Sequence, residues 1–440
     1  QYEIVIGLEV HSQLATASKM FCSCEADYQE AEPNSIVCEV CMGMPGVLPV
    51  INRRAVEFVI ATGLALDCTI SKYTKFDRKN YPYPDLMKGY QISQYDQPIA
   101  SNGSLTINVE DSEKAVGITR VHLEEDVAKL IHHQGLEGDG YSLIDVNRSG
   151  VPLMEIVSEP DIRTPEQARS YLISLRAILQ YLGVSTANME EGSFRCDANI
   201  SIRPFGSNIM GSKVEVKNMN SFRSVFSALV YESERQIGLA RQDQRIEQET
   251  RGWVDDRGIT VSQRTKEYAA DYRYFPEPDL PPVAIESTWI ERVKDRLPEL
   301  PEVKKNRFIE QYGLSEYDSQ LLTASKSTAD FFESVLRGES GSTNSKSQLA
   351  KAVSNWMLGE LTRLLNVSNT EIKDLKIRPE HILEIVDLID GDILSTSMAR
   401  TVFEEMFDTG RSPRQIVEES DMAQISDVES VQSAVDEVVE

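Results

Sequence analysis

Long apolar runs are the first thing this chain lacks. No stretch approaches the roughly 20 uninterrupted apolar residues of a membrane span, which excludes an α-helical integral membrane protein. No signal peptide is expected either, because the sequence opens directly into the strand-like segment Tyr2–Leu14. The first residue is Gln1 rather than Met, so preceding sequence is expected, and a cleaved organellar transit peptide stays open. Basic residues are scarce, with 45 Lys and Arg against 70 Asp and Glu and a net charge of −25. Bulk electrostatic capture of nucleic acid is therefore excluded, although a local basic groove on an acidic body is compatible with the balance. Six cysteines without even spacing rule out a secreted disulfide scaffold and point to a reducing compartment. There is no GxxxxGK[ST] loop, no GxGxxG after a strand, no Ser-centred elbow and no amidase-like Lys/Ser pattern.

The 440 residues are 41% hydrophobic and 26% charged, ordinary for a soluble globular protein, and the length favours two or three domains. Residues 1–292 are rich in period-2 alternation, at Tyr2–Leu14, Ser104–Val109, Gly117–Val127, Val151–Val157, Ser193–Arg203 and Lys213–Lys217. Helical spacing interrupts it at Arg53–Leu66, at Thr164–Leu182 behind a Thr-Pro-Glu start, and at Ser221–Arg241. Hairpin-like turns such as Ser101-Asn102-Gly103 accompany the strands, so the expected class is α+β with a mixed or antiparallel sheet. After Pro276-Glu277-Pro278-Asp279-Leu280-Pro281-Pro282 the spacing becomes helical, giving an all-helical domain over 293–408 entered through Pro298-Glu299-Leu300-Pro301. Arg337–Gln348 reads as a Gly/Ser/Asn-rich loop. Residues 409–440 read as the start of a truncated helical tail, since the last thirty residues carry eight acids and two bases and stop at Val438-Val439-Glu440.

Three constellations carry chemistry. Cys22-x-Cys24 and Cys38-x-x-Cys41, joined by thirteen residues, match a tetrahedral structural zinc site in which each thiolate pair forms a knuckle. Four thiolates leave no open position, so that site folds its loop and does no chemistry. The alternative is four unrelated buried cysteines; Cys68 and Cys196 do read as packing residues. Next, three strands place ionisable groups on largely apolar faces: Glu9 and His11 beside Val5 and Gly7, Glu125 beyond Val121 and Leu123, and Glu155 beyond Val151 and Leu153. Each alone is most simply a strand end turned to solvent. Together they invite a divalent cation, because burying such charges without a partner is costly. The third set is polar. Arg195, Asp197, Asn199, Ser201 and Arg203 share one face of Ser193–Arg203, Lys213, Glu215 and Lys217 share another, and Asp77-Arg78-Lys79-Asn80-Tyr81-Pro82-Tyr83-Pro84 forms a cationic, aromatic loop suited to phosphate. A solvated face is the plain alternative.

The segments EIVIGLEVHSQL (3–14), KFDRKNYPYPD (75–85), GYQISQYDQPI (89–99), HLEED (122–126), LMEIVSEPDIR (153–163), EEGSFRCDANISIRP (190–204), VEVKNMNSF (214–222) and DYRYFPEPDLPP (271–282) go further. Together they resemble the B subunit family of the glutamyl/aspartyl-tRNA amidotransferases over nearly the whole chain. The resemblance implies a cradle-shaped catalytic domain, a helical domain and a small tail domain, in a cytoplasmic protein, with an organellar stroma or matrix left open. It implies an enzyme that uses ATP and magnesium to phosphorylate the side-chain carboxylate of Glu or Asp misacylated on tRNA(Gln) or tRNA(Asn). An amidase (glutaminase) A subunit would supply ammonia and a small C subunit would tie the assembly together. The resemblance carries magnesium binding to Glu9, His11, Glu125 and Glu155; the cations Arg78, Lys79, Arg195 and Lys217 are expected, from the charge that phosphoryl oxygens need neutralised, to contact ATP or phosphate. The resemblance also makes Cys22, Cys24, Cys38 and Cys41 a zinc knuckle. Two rivals remain on sequence alone: a zinc-stabilised RNA-binding scaffold and a zinc metallohydrolase. Five histidines, with only His11 among the carboxylates, weigh against the latter. The choice between Glu-tRNA and Asp-tRNA is not written in the residues.

Overall fold

The computed structural model describes residues 2–109, 112–133, 140–265, 272–338 and 345–420. The chain divides into two compact units, Gln1–Pro298 and Glu299–Glu440. The first is α+β, as expected, and the second is helical.

A nine-stranded mixed sheet organises the first unit. Across it run Ile259–Thr265, Glu249–Val254, Val214–Met219, Phe194–Pro204, Tyr2–Gln13, Pro152–Ser158, Ser112–Glu125, Ala100–Val109 and Thr69–Ile70. Neighbours are antiparallel except Val214–Met219 and Glu249–Val254, which are parallel. The opening strand Tyr2–Gln13 is therefore central, flanked by Phe194–Pro204 and Pro152–Ser158. Alternation decides what each face does. Ile6, Leu8 and Val10 point into the core with Ile156, Val121, Leu123, Cys196, Ala198 and Ile200, all buried. Helices α1 (Arg53–Ala65), α2 (Pro165–Leu182) and α3 (Phe222–Arg241) pack against the sheet. Each starts where its sequence supplies a cap: Asn52 accepts from Arg54 N and Ala55 N, Thr164 from Gln167 N, and Ser221 from Ser224 N.

One expected turn is a strand. Ser101-Asn102-Gly103 lies inside Ala100–Val109, paired with Ser112–Glu125. Gly103 is needed there because a Cβ would sit 2.3 Å from Cys68 Sγ and 2.4 Å from the Leu66 carbonyl oxygen, which is the close approach that looked like turn chemistry.

In the second unit, α5 (Pro301–Tyr312) begins at the anticipated Pro301, following α4 (Ser287–Lys294) of the first unit. Then come α6 (Glu316–Thr323), α7 (Lys326–Leu336), α8 (Lys346–Trp356), α9 (Thr362–Ser368), α10 (Pro379–Asp390), α11 (Thr396–Thr409) and α12 (Pro413–Ser420). The Gly/Ser/Asn-rich segment separates α7 from α8, and its last residues already belong to a capping box of Ser345 and Gln348. Phe308, Phe332, Val353, Ile382, Phe403 and Ile416 share one core, so α12 packs with the helices before it. The expected tail over 409–440 falls, beyond residue 420, outside the described residues. Among the described residues, no helix is long and apolar enough to cross a membrane.

A buried charge ties α3 to the outer strands. Glu232, with no exposed surface, accepts from Arg235 Nη2 at 2.5 Å, Gln236 Nε2 at 3.0 Å and Thr260 Oγ1 at 2.9 Å, with Arg251 Nε 3.6 Å away. Glu232→Leu leaves Arg235 and Arg251 to Glu249 alone and is expected to cost about 1.5–3 kcal/mol. Chemical denaturation followed by tryptophan fluorescence checks this, and a loss under about 1 kcal/mol would show the network to be dispensable.

Candidate functional site

The antiparallel register lays rows of side chains across the polar face of the sheet. His11 pairs with Glu155 on one side and Arg195 on the other, and Glu155 pairs in turn with His122. One step along, Gln13 opposes Leu153, which opposes Glu124. His11 Nε2 lies 3.5 Å from Glu124 and 3.4 Å from Glu155, and His122 Nε2 lies 3.2 Å from Glu155. Ligand atoms of His11, Glu124 and Glu155 all fall within 4.8 Å of one another.

Two carboxylates this close and this buried demand positive charge. Burial opposes protonation of His11, but the charge and hydrogen bond of Glu155, then the charge of Glu124, outweigh it and raise its pKa to about 9. His122 is raised against the same burial by Glu155 and Glu124. Burial pushes both carboxyls up, yet His122 first holds each of them below the usual range. The imidazolium thus occupies the electrostatic role of a cation. One nitrogen and two carboxylate oxygens suit a divalent ion, which must displace the His11 proton to bind. His122 Nδ1 is buried without a hydrogen-bond partner.

The expected residues divide. His11 and Glu155 meet; Glu9 and Glu125 do not join them. Glu9 shares the face but accepts from Asn199 Nδ2 at 2.7 Å. Glu125 projects to the opposite face of its strand, where it accepts from Ile92 N at 3.0 Å and pairs with Lys88 at 2.5 Å. Glu124 takes the place expected for Glu125, since residues 120, 122 and 124 point to the polar face while 121, 123 and 125 point inward. The sequence signal for Glu124 is that polar alternation of Arg120, His122 and Glu124.

The cations also divide. Lys79 comes from the short strand Asp77–Lys79 and makes no ion pair among the described residues. Burial works against its charge, but Glu124, then Tyr274 and Glu155, keep its pKa raised. Arg195 donates to Asp126 at 3.0 Å, and the buried Asp126 also accepts from Gln13 Nε2 at 2.8 Å. Lys217 pairs with Asp197 at 2.5 Å. Arg78 is committed elsewhere, donating to both oxygens of Glu277 at 2.7 and 2.8 Å. Beside Glu9 and Asn199 opens a cavity of about 260 Å³, lined also by Ser158, Pro160, Ser201, Met210 and Lys213.

The four cysteines form a second cluster, their sulfurs within 4.8 Å of one another. Cys38 Sγ and Cys41 Sγ are 3.9 Å apart, close to the roughly 3.8 Å edge of a tetrahedron with metal–sulfur bonds of about 2.3 Å. Cys38 N donates to Cys41 Sγ at 3.0 Å, as a knuckle does. The hydrogen bond from Cys22 first, then that amide and the Lys19 charge, overcome burial and draw Cys41 down to about 4.

A strand-rich unit with a buried His–carboxylate cluster and a thiolate knuckle, followed by a helical unit, defines a class, and comparison specifies it. Residues 4–291 match the family described as the GatB/GatE catalytic domain, and residues 331–440 match the GatB domain. The chain is 58% identical over 429 residues to the aspartyl/glutamyl-tRNA(Asn/Gln) amidotransferase B subunit of Dehalococcoides mccartyi, covering 97% of this chain and 87% of that one. The B subunits of Moorella thermoacetica and Carboxydothermus hydrogenoformans are 53% and 52% identical over 439 residues, covering all of this chain and 90% and 89% of theirs. The chain belongs to the family of aspartyl/glutamyl-tRNA amidotransferase B subunits.

The thiolate cluster is expected to hold about one equivalent of a thiophilic metal ion. Cys38→Ser should remove it and lower the melting temperature of the first unit, which metal analysis and thermal melts check. Metal-free reduced protein with an unchanged melting temperature in the variant would contradict that.

Proposed function

We propose that this chain is the kinase-like subunit of a tRNA-dependent amidotransferase. The observation that carries this reading is the convergence of His11, Glu124 and Glu155 on a face bordered by Lys79 and Arg195. In the proposed reaction, the side-chain carboxylate of Glu or Asp on the wrong tRNA attacks the γ-phosphorus of ATP. The bond to the ADP oxygen breaks and an acyl phosphate forms. Ammonia then attacks the acyl carbon, phosphate leaves, and the amide loses the spare proton. A carboxylate and ammonia do not combine this way at neutral pH without such a leaving group. Phosphoryl transfer needs charge neutralisation and in-line positioning more than a protein nucleophile, which accords with the missing Ser-centred motifs.

His11, Glu124 and Glu155 would hold magnesium, which when bound neutralises phosphoryl oxygens; its preference for oxygen ligands leaves the rest of its shell to water and phosphate. Lys79, which makes no ion pair among the described residues, is the cation placed to meet the transferred phosphoryl group. Arg195, steadied by Asp126, presents a guanidinium beside His11, and Lys217 stands further along the same face. The cavity beside Glu9 is close in size to a small nucleoside pocket, and it supplies apolar walls with Asn199, Ser158 and Ser201 as polar contacts. Cys22, Cys24, Cys38 and Cys41 would bind structural zinc. The substrate class, an aminoacyl-tRNA for Gln or Asn, is the one in the relatives' names. An amidase A subunit and a small C subunit would complete a cytoplasmic assembly.

Glu124→Gln keeps shape and removes charge; it is expected to slow ATP-dependent activation of the aminoacyl group at least about 100-fold, as when a transition-state electrostatic contact is lost. With ammonium chloride as nitrogen donor, glutamine hydrolysis drops out of the assay. Glu125→Gln should keep the phosphorylation step and perturb stability instead. Near-normal activity in the Glu124 variant would sink the assignment.

The second unit is proposed to serve the tRNA body, because it has its own core and no comparable charge cluster among its described residues. Truncation after Pro298 should leave nucleotide and metal binding within about threefold, under 1 kcal/mol, while weakening tRNA binding. Loss of nucleotide binding in calorimetry would contradict that division.

A further inference from the structure

Every ionised neighbour of Lys79 on its strand has a carboxylate or ammonium partner. Asp77 is paired with Lys75 and accepts from Tyr95 N at 3.1 Å. Arg78 is clamped by Glu277 and lies 4.3 Å over the Tyr90 ring. Lys79 instead has rings: its ammonium sits 5.0 Å from the centroid of Tyr272 and 5.8 Å from that of Tyr81. Those rings meet edge to face at 5.8 Å, and Tyr272 meets Tyr274 at 6.0 Å, which is stacked on Tyr95 at 4.3 Å. Packing alone does not explain Tyr272, which is 36% exposed.

The wall is fastened at both ends. Asn80 N donates to the Tyr272 carbonyl at 2.9 Å, and Asn80 Nδ2 to that of Arg273 at 2.9 Å. Tyr81 Oη donates to Gln91 Oε1 at 3.2 Å, and Gln91 Nε2 to the backbone carbonyl of Glu125 at 2.8 Å, next to Glu124. The ring positions are thus tied to the strand that carries a site carboxylate.

We propose that Tyr272 and Tyr81 are positioning residues that hold Lys79 as an unpaired ammonium reserved for the phosphoryl oxygens of the substrate. A carboxylate partner would stabilise the same charge but compete with phosphate for it. The negative face of an aromatic ring attracts the cation and offers no strong acceptor to be displaced. This deepens the reading under Proposed function and rests on it.

The test uses the complete amidotransferase complex, with ATP, aminoacyl-tRNA and ammonium chloride, and position 272 occupied in turn by Phe and by mono-, di- and trifluorinated Phe. Phe keeps the quadrupole and is expected to retain kcat within about threefold, whereas Tyr272→Leu loses about tenfold or more. Across the fluorinated series log kcat should fall stepwise to a similar total loss, with unchanged melting temperature and KM for ATP shifted less than about threefold. A merely structural ring would not follow fluorine number. An active wild-type complex with a flat fluorine series overturns the proposal alone. A wild-type complex that forms no ATP-dependent product overturns the underlying reading, and this proposal with it.

Discussion

Two buried carboxylates, Glu124 and Glu155, sit where their charges cannot be left alone, and much of the first unit is arranged around that constraint. Separate strands bring them together with His11 and His122, and the cluster forms only if Tyr2–Gln13, Pro152–Ser158 and Ser112–Glu125 keep their register. A slip of one residue would turn every one of these side chains into the apolar core. The core side of the same strands, filled by Ile6, Leu8, Val10, Ile156 and Val121, forbids that slip. Hydrophobic burial therefore sets the geometry of the polar face, which carries the His–carboxylate cluster.

The surroundings grade the cations by how firmly they are held. Arg78 is fully engaged by Glu277 and joins two chain segments. Arg195 is shared with Asp126, and Lys217 with Asp197. Lys79 faces aromatic rings and, unlike the other three, makes no ion pair among the described residues. A strongly acidic chain can handle phosphate in this way, because a few placed cations in a partly enclosed site outweigh a net charge spread over the surface. The thiolate knuckle belongs to the same unit but does another job, closing a loop whose sequence has little regular structure of its own.

Local features were legible in the sequence. The helix starts at Asn52, Thr164 and Ser221, the entry at Pro301 and the cysteine pairs are written in contiguous residues. His11 and Glu155 were legible because alternation points them to one face. The apolar alternation of Val121 and Leu123 leads to Glu125, and that face is the core. The site lies on the other, where His122 and Glu124 repeat with Arg120. Contacts between distant segments, such as Arg78 with Glu277 and Glu9 with Asn199, have no local signature and needed the fold. The expected turn at Asn102 failed for the same reason, since the glycine beside it answers to Cys68 rather than to its own neighbours.

In the proposed function, His11, Glu124 and Glu155 would together hold one divalent ion, which would neutralise the phosphates of ATP. Pulsed electron paramagnetic resonance of manganese bound to the complex with a non-hydrolysable ATP analogue tests it most directly. The account requires a nitrogen coupling from a directly bound imidazole, absent in His11→Ala, together with phosphorus couplings from the nucleotide. Manganese that shows phosphorus couplings but no protein nitrogen would contradict it.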